Sequence, residues 1–283
     1  MKIILGTANF GLNYGLANTR EKLKENDIRR IIQAATNLGI NQFDTAIGYG
    51  DSQKILGKFL DKSLSTFITT KIGRSDCQSV EKMITAIQNS CNDLNVRKID
   101  SVLLHEFDLI NSSTVKDGLV EILKRDLASN VGISVYNQNE LYQSSENNSL
   151  LKVAQIPINL LSRNTFSNIF LQELSKSGFE ITVRSVFLQG ILTSNISLIP
   201  DKLKHIIPKL YEFENICKKF KVSKLSALLA YVKQLEWCSG IVIGVENAFQ
   251  LEEFVAEYHS DRVLDFNIFP ELDSWTSDPR NWS

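Results

Sequence analysis

Phe43-Asp44-Thr45-Ala46-Ile47-Gly48-Tyr49-Gly50 carries an acid where a short apolar run stops and a phenol five residues further on. Two later runs stop in the same manner, Thr66-Phe67-Ile68-Thr69-Thr70 at Lys71 and Ser101-Val102-Leu103-Leu104 at His105. If these runs are consecutive parallel strands, a carboxylate, a phenol, an ammonium and an imidazole gather at their carboxyl-end face. Barrel enzymes keep their chemistry on that face.

Outward from this stretch, strand-length apolar runs recur along the chain: Ile3 to Thr7, Gln42 to Thr45, Phe67 to Thr70, Ser101 to Leu104, Val131 to Val135, Val153 to Ile158, Ile181 to Ser185 and Ile241 to Val245. Segments of helical period separate them, such as Ile28, Ile31, Ile32, Ala35 and Leu38, then Met83, Ile84, Ile87, Cys91 and Leu94. Gly39 and Gly178 sit where helices should stop. Alternation of this kind predicts parallel strands joined by helices, and near-continuous apolar strands fit a sheet covered on both faces. Gly6-Thr7-Ala8-Asn9-Phe10-Gly11 is not a G-x-G-x-x-G phosphate turn. The expected fold is therefore a single α/β domain over 1–283, a (β/α)8 TIM barrel. The polar stretch Asn137 to Leu151 reads as a short helix plus loop, and Ser194 to Ile207 as an irregular segment.

Among 283 residues, 43% are hydrophobic and 22% charged, with a net charge of -1. Such a balance creates no global field for nucleic acid or an anionic membrane. Cys77, Cys91, Cys217 and Cys238 lack CxxC spacing and read as reduced, buried thiols. No apolar run approaches the roughly 18 residues that span a bilayer, so a cytoplasmic enzyme with no membrane or nucleic-acid partner is expected. His205 and His259 fall on polar stretches, and no metal site is expected. The oligomeric state is left open.

A phenol is a weak proton donor at neutral pH, and a nearby ammonium lowers its pKa. On this reasoning Lys71 draws down Tyr49, Asp44 holds Lys71, and His105 donates to the carbonyl oxygen under reduction. Such a site delivers protons but no electrons, so hydride comes from a cofactor. With these residues in place the chain resembles the aldo-keto reductase family, from Ile3 to about Glu253, most specifically in Phe-Asp-Thr-Ala-x-x-Tyr-Gly at Phe43 to Gly50.

The resemblance implies the catalytic tetrad Asp44, Tyr49, Lys71 and His105, with Tyr49 as general acid, and NADP(H) or NAD(H) as cofactor. It places Ser134, in Gly132-Ile133-Ser134, and Gln155 at the nicotinamide carboxamide, and the backbone of Gly6-Thr7-Ala8 beside the cofactor. Val183-Arg184-Ser185 departs from the family's aromatic residue before a serine; a planar guanidinium can stack on a ring in its place. In Gly244 to Glu253 the family often has basic residues around a 2′-phosphate. Here Asn247 and Gln250 occupy such positions, Glu253 aligns with a glutamate at the adenine amino group, and Glu246 suits a free ribose hydroxyl.

The leading expectation is NAD(P)H-dependent reduction of an aldehyde or ketone. Arg184 and Arg163 point to a polar substrate such as a sugar or nucleotide-sugar ketone. Two alternatives stand beside it, a nucleotide-sensing regulatory subunit and a Schiff-base lyase using Lys71. Arg163 and Asn164 lie where a loop can enter the site or stay at the surface. Trp275 and Trp282 either cap the pocket or pack on the barrel.

Overall fold

Eight parallel strands close into a barrel in chain order: β1 (Lys2–Gly6), β2 (Gln42–Asp44), β3 (Phe67–Ile72), β4 (Ile99–Leu104), β5 (Ala128–Ser134), β6 (Leu151–Pro157), β7 (Glu180–Arg184) and β8 (Cys238–Ile243). The computed structural model describes residues 1–15, 22–260 and 262–282. All eight expected strands form, with ends moved by up to three residues. β1 pairs with β8, so no strand edge is left open. Ser101 to Leu104 on β4 are buried throughout, as a doubly covered sheet requires.

The helices are α1 (Ala8–Gly11), α2 (Glu25–Asn37), α3 (Ser52–Phe59), α4 (Val80–Leu94), α5 (Ser113–Lys124), α6 (Gln138–Asn147), α7 (Asn168–Lys176), α8 (Ile207–Phe220), α9 (Lys224–Lys233), α10 (Ala248–His259) and α11 (Ser274–Ser277). On α2 the 3.6-residue period buries Ile28, Ile31, Ile32 and Ala35 against the sheet. Gly39 ends the helix at φ 73°, letting Ile40 N–H return to the Ala35 carbonyl. α4 buries Met83, Ile84, Ile87, Cys91 and Leu94; the Ser79 hydroxyl accepts from Lys82 N–H at its start. The stretch before β6 is a short helix as expected, but β6 begins at Leu151. The segment before α8 consists of two 3-10 turns, Ile196–Leu198 and Asp201–Ile206.

Tertiary contacts decide the open question of the tail. Arg163 Nη2 donates to the Phe269 carbonyl at 3.0 Å, Asn164 Nδ2 to Glu271 Oε2 at 2.6 Å, and Leu272 N–H to the Leu161 carbonyl at 2.7 Å. Arg163 and Asn164 thus fasten the tail to the loop after β6. Trp282 packs into the core, while exposed Trp275 meets His205 edge to face at 5.6 Å. His205 is exposed yet not merely solvated, because its Nε2 lies 3.0 Å from Thr276 Oγ1. All four cysteines are buried and unbridged. Among the described residues no helix is long and apolar enough to cross a membrane.

Candidate active site

The residue that ends β2 is Asp44, and Lys71 lies one residue from the end of β3. Because Asp44 pairs in register with Thr69, Lys71 reaches past the end of β2. Its Nζ donates to Asp44 Oδ1 at 2.6 Å and to the Thr45 carbonyl at 3.1 Å. From across the barrel, Gln155 on β6 donates Nε2 to Asp44 Oδ2 at 2.7 Å. Asp44 is 4% exposed and Lys71 1%, so both charges have left water and each compensates the other. Removing one partner of such a pair strands a charge in the interior, at a cost of about 3–5 kcal/mol.

Tyr49 is set by a turn closed on both sides. Its N–H donates to the Ala46 carbonyl at 3.1 Å, and Ser52 N–H donates to its carbonyl at 3.2 Å. Buried hydroxyls fasten the turn to β1: Ser52 Oγ contacts the Thr7 carbonyl at 2.9 Å and Thr7 Oγ1 at 2.8 Å, while Thr7 Oγ1 donates to the Asp44 carbonyl at 3.0 Å. Gly11 and Gly50 permit the approach. A Cβ on Gly11 would lie 1.7 Å from the Tyr49 carbonyl oxygen, and Gly50 has φ 56°. The Tyr49 ring centroid lies 5.3 Å from Lys71 Nζ, and the ring meets that of His105 edge to face with centroids 6.1 Å apart.

Electrostatics reverse one expectation. Burial drives the Tyr49 phenol well above its usual pKa, the Asp44 carboxylate adds to the rise, and the opposing cation is Arg184 rather than Lys71. The Lys71–Asp44 pair sums to zero, so its ammonium gives the phenol little help. Tyr49 is therefore a neutral, proton-bearing phenol at physiological pH. Burial lowers the Lys71 pKa against the pull of Asp44. His105 is pushed down to about 4, by burial first and then by Lys71 and Arg184, so its imidazole is neutral.

One groove collects most of the remaining candidates. Gly6, Thr7, Ala8, Asp44, Tyr49, Gln155, Arg184, Ser185, Gly244 and Gln250 line it. Lys71, His105, Ser134, Asn247 and Glu253 do not. Ser134 sits buried in register opposite Gln155, and Asn247 Oδ1 accepts from Gln250 N–H as the cap of α10. Gln250 is similarly occupied, its Oε1 accepting from Glu246 N–H at 2.8 Å. Glu253 is exposed on α10. Glu246 lines the groove.

Sequence reasoning missed Asn9, Tyr14 and the loop after β7, whose Val186, Phe187, Gln189, Gly190, Thr193 and Ser194 line the groove with them. Ser185, Leu188, Gln189 and Gly190 have φ of 60°, 48°, 53° and 87°. Three of them are not glycine, so no residue type betrays this turn. Among the described residues that line the groove, two buried acceptors have no partner, Gln155 Oε1 and Asn9 Oδ1, although Asn9 Nδ2 donates to the Val245 carbonyl. Unpaired buried acceptors are costly, and a ligand that brings donors relieves them.

Comparison with known proteins agrees with this architecture. A holo-form aldo-keto reductase from Bacillus halodurans superposes with a TM-score of 0.75 at 17% identity, covering 93% of this chain and 88% of that one. A Pseudomonas aeruginosa structure described as an aldo-keto reductase gives 0.68 at 20% identity, covering 90% and 88%. Among curated proteins, D-arabinose 1-dehydrogenase of Saccharomyces cerevisiae is 30% identical over 119 residues, 38% of this chain. The match spans 36% of that relative's length, about a third. The Aldo/keto reductase family model matches residues 2–274, nearly the whole chain. By that match, on a barrel whose strand ends carry Asp44, Tyr49, Lys71 and His105, the chain belongs to the aldo/keto reductase family.

Proposed function

We propose that this protein reduces the carbonyl group of a small polar molecule to an alcohol with NADPH or NADH. Tyr49 is the general acid in this reading. The observation that carries it is the convergence of a protonated Tyr49, a neutral His105 and the Lys71–Asp44 pair beside a groove that also presents the unbonded Gln155 Oε1.

The residues fit a nicotinamide. Gln155 is 2% exposed and holds out an acceptor with no protein donor, which suits a carboxamide N–H. Its other end is fixed on Asp44, so the acceptor is held in place. The cofactor supplies a hydride to the carbonyl carbon when bound. Tyr49 then gives its proton to the carbonyl oxygen as negative charge develops there, so that hydride plus proton yields the alcohol. His105 stays neutral and serves as a hydrogen-bond donor to the same oxygen. The phenolate that Tyr49 becomes is favoured by the Arg184 cation, and water restores its proton.

The sugar-like substrate class draws support from the polar lining at Asn9, Gln155, Gln189, Thr193 and Ser194, and from the name of the yeast relative. Lys71 is a poor Schiff-base nucleophile, because it is 1% exposed and bonded to Asp44 and Thr45. A purely regulatory subunit has no need of the complete tetrad.

The test is a titration of protein fluorescence with NADPH and NADH, followed by carbonyl-dependent oxidation of the reduced cofactor over a panel of sugars and aldehydes. Binding with turnover supports the reading. Binding without turnover on any carbonyl favours the regulatory alternative, and no binding of either dinucleotide ends the reductase assignment. A borohydride-trapped adduct on Lys71 would establish the lyase.

A further inference from the structure

Arg184 ends β7, half-buried on the groove wall. Its guanidinium lies on the Tyr136 ring, 4.1 Å from the centroid. Nη1 donates to Ser185 Oγ at 3.3 Å and Nη2 to the Val135 carbonyl at 3.2 Å. These partners orient the group without neutralising it. Among the described residues no carboxylate lies within 4.0 Å of it. Arg280, 3.9 Å from the same ring centroid, is paired with Glu140 and Asp278. Glu246, the other groove-lining acid besides Asp44, makes no ion pair with Arg184.

Beyond the Tyr136 ring, Arg280, Glu140 and Asp278 together carry one negative charge, yet of these charges only that of Arg184 acts on the catalytic groups. Lys71 and Asp44 sum to zero wherever their shared proton sits, and Tyr49 and His105 are neutral. The Arg184 charge is felt at Tyr49, Lys71 and His105 together. A nicotinamide whose carboxamide Gln155 held would lie beside Tyr49, within the same field. The reduced ring is neutral and the oxidised ring carries one positive charge.

We infer that Arg184 makes the site discriminate between the redox states of its cofactor, holding the reduced dinucleotide and repelling the oxidised one. The inference rests on the reductase reading above and adds a residue that sets its direction. At an effective dielectric of about 20, two unit charges about 6 to 12 Å apart repel strongly enough to change a binding constant about ten- to a hundred-fold. Spent cofactor then leaves readily, and the site is ready for the next reduced molecule. Lys71 cannot do this, because Asp44 cancels it.

The experiment measures dissociation constants for NADPH, NADP+, NADH and NAD+ by fluorescence or calorimetry, with no turnover required. It compares the native protein with Arg184→Met, which removes the charge, and Arg184→Lys, which keeps it without the planar group. The expected oxidised-to-reduced ratio is about tenfold or more in the native protein, is largely kept in Arg184→Lys, and falls by about tenfold in Arg184→Met. An unchanged ratio in Arg184→Met overturns the inference while leaving the reductase reading intact. Equal loss of both forms in Arg184→Met and Arg184→Lys identifies Arg184 as a stacking platform only, which also overturns it. If the native protein binds none of the four, the reductase reading itself falls. Should Arg184→Met fold poorly, the native ratio and that of Arg184→Lys still decide the matter, because a ratio near one in either is incompatible with charge discrimination.

Discussion

On the wall built by β2, β3 and β4, Lys71 is bonded to Asp44 at 2.6 Å and to Thr45, the Tyr49 turn is clamped by Gly11 and Ser52, and His105 is uncharged. On the wall built by β6, β7 and β8, Gln155 keeps one oxygen unbonded and Arg184 has no carboxylate. The first wall is complete before any ligand arrives, and its groups are held in the protonation states that carbonyl reduction uses. The second is unfinished in both hydrogen bonding and charge, as recognition requires, because a ligand gains most where it completes something. In the proposed reading, chemistry and recognition are divided between facing strand ends of one barrel.

The sharpest break of this division is Tyr49→Phe. Loss of the proton donor should lower carbonyl reduction by about 10²–10⁴-fold. Binding of reduced cofactor should hold, since that belongs to the other wall. Steady-state rates beside a fluorescence titration check both, and a rate within about twofold of native would remove Tyr49 from the chemistry.

Lys71→Met tests the claim that the first wall is self-compensated. It leaves Asp44 buried without its cation and should cost about 3–5 kcal/mol in urea unfolding. Adding Asp44→Asn should recover much of that loss, because the pair then vanishes as a unit. If the double variant is no better than the single one, the pair is not what holds this wall.

His105 links the same wall to pH. Its folded pKa of about 4 lies below the ordinary 6.5, so the unfolded chain takes up a proton before the folded one does. Stability is full above pH 6.5 and is lost as pH falls towards 4, by on the order of 3 kcal/mol in all. Melting curves between pH 8 and 4 should show this slope, and His105→Gln should flatten it between pH 6.5 and 5, where few carboxylates titrate.

The smallest effect belongs to the second wall. Gln155→Leu removes the waiting acceptor and should weaken reduced-cofactor binding by about tenfold, the worth of roughly one good hydrogen bond. Calorimetric titration reads it directly. An affinity equal to native would show that the orphaned oxygen meets no ligand.

Much of this was legible in the chain. Strand period, helix period and their alternation set the barrel, and closure in chain order then forces Asp44, Lys71 and His105 onto one face. What the linear pattern could not hold were quantities that depend on distance between remote residues. Gln155 and Asp44 stand 111 positions apart, yet their hydrogen bond fixes the acceptor. Asn247 and Gln250 share a cap at the start of α10, and Arg163 and Asn164 bind the tail, partners that residue type alone does not reveal. The sign of the Tyr49 shift was misjudged for the same reason. Residue types establish that an ammonium is available, whereas only packed coordinates reveal that Asp44 cancels it, that burial dominates the phenol, and that the cation acting on it is Arg184. Local periodicity is written in the sequence because it acts between neighbours; charge balance in a buried site is a sum over three dimensions, decided only when the barrel closes.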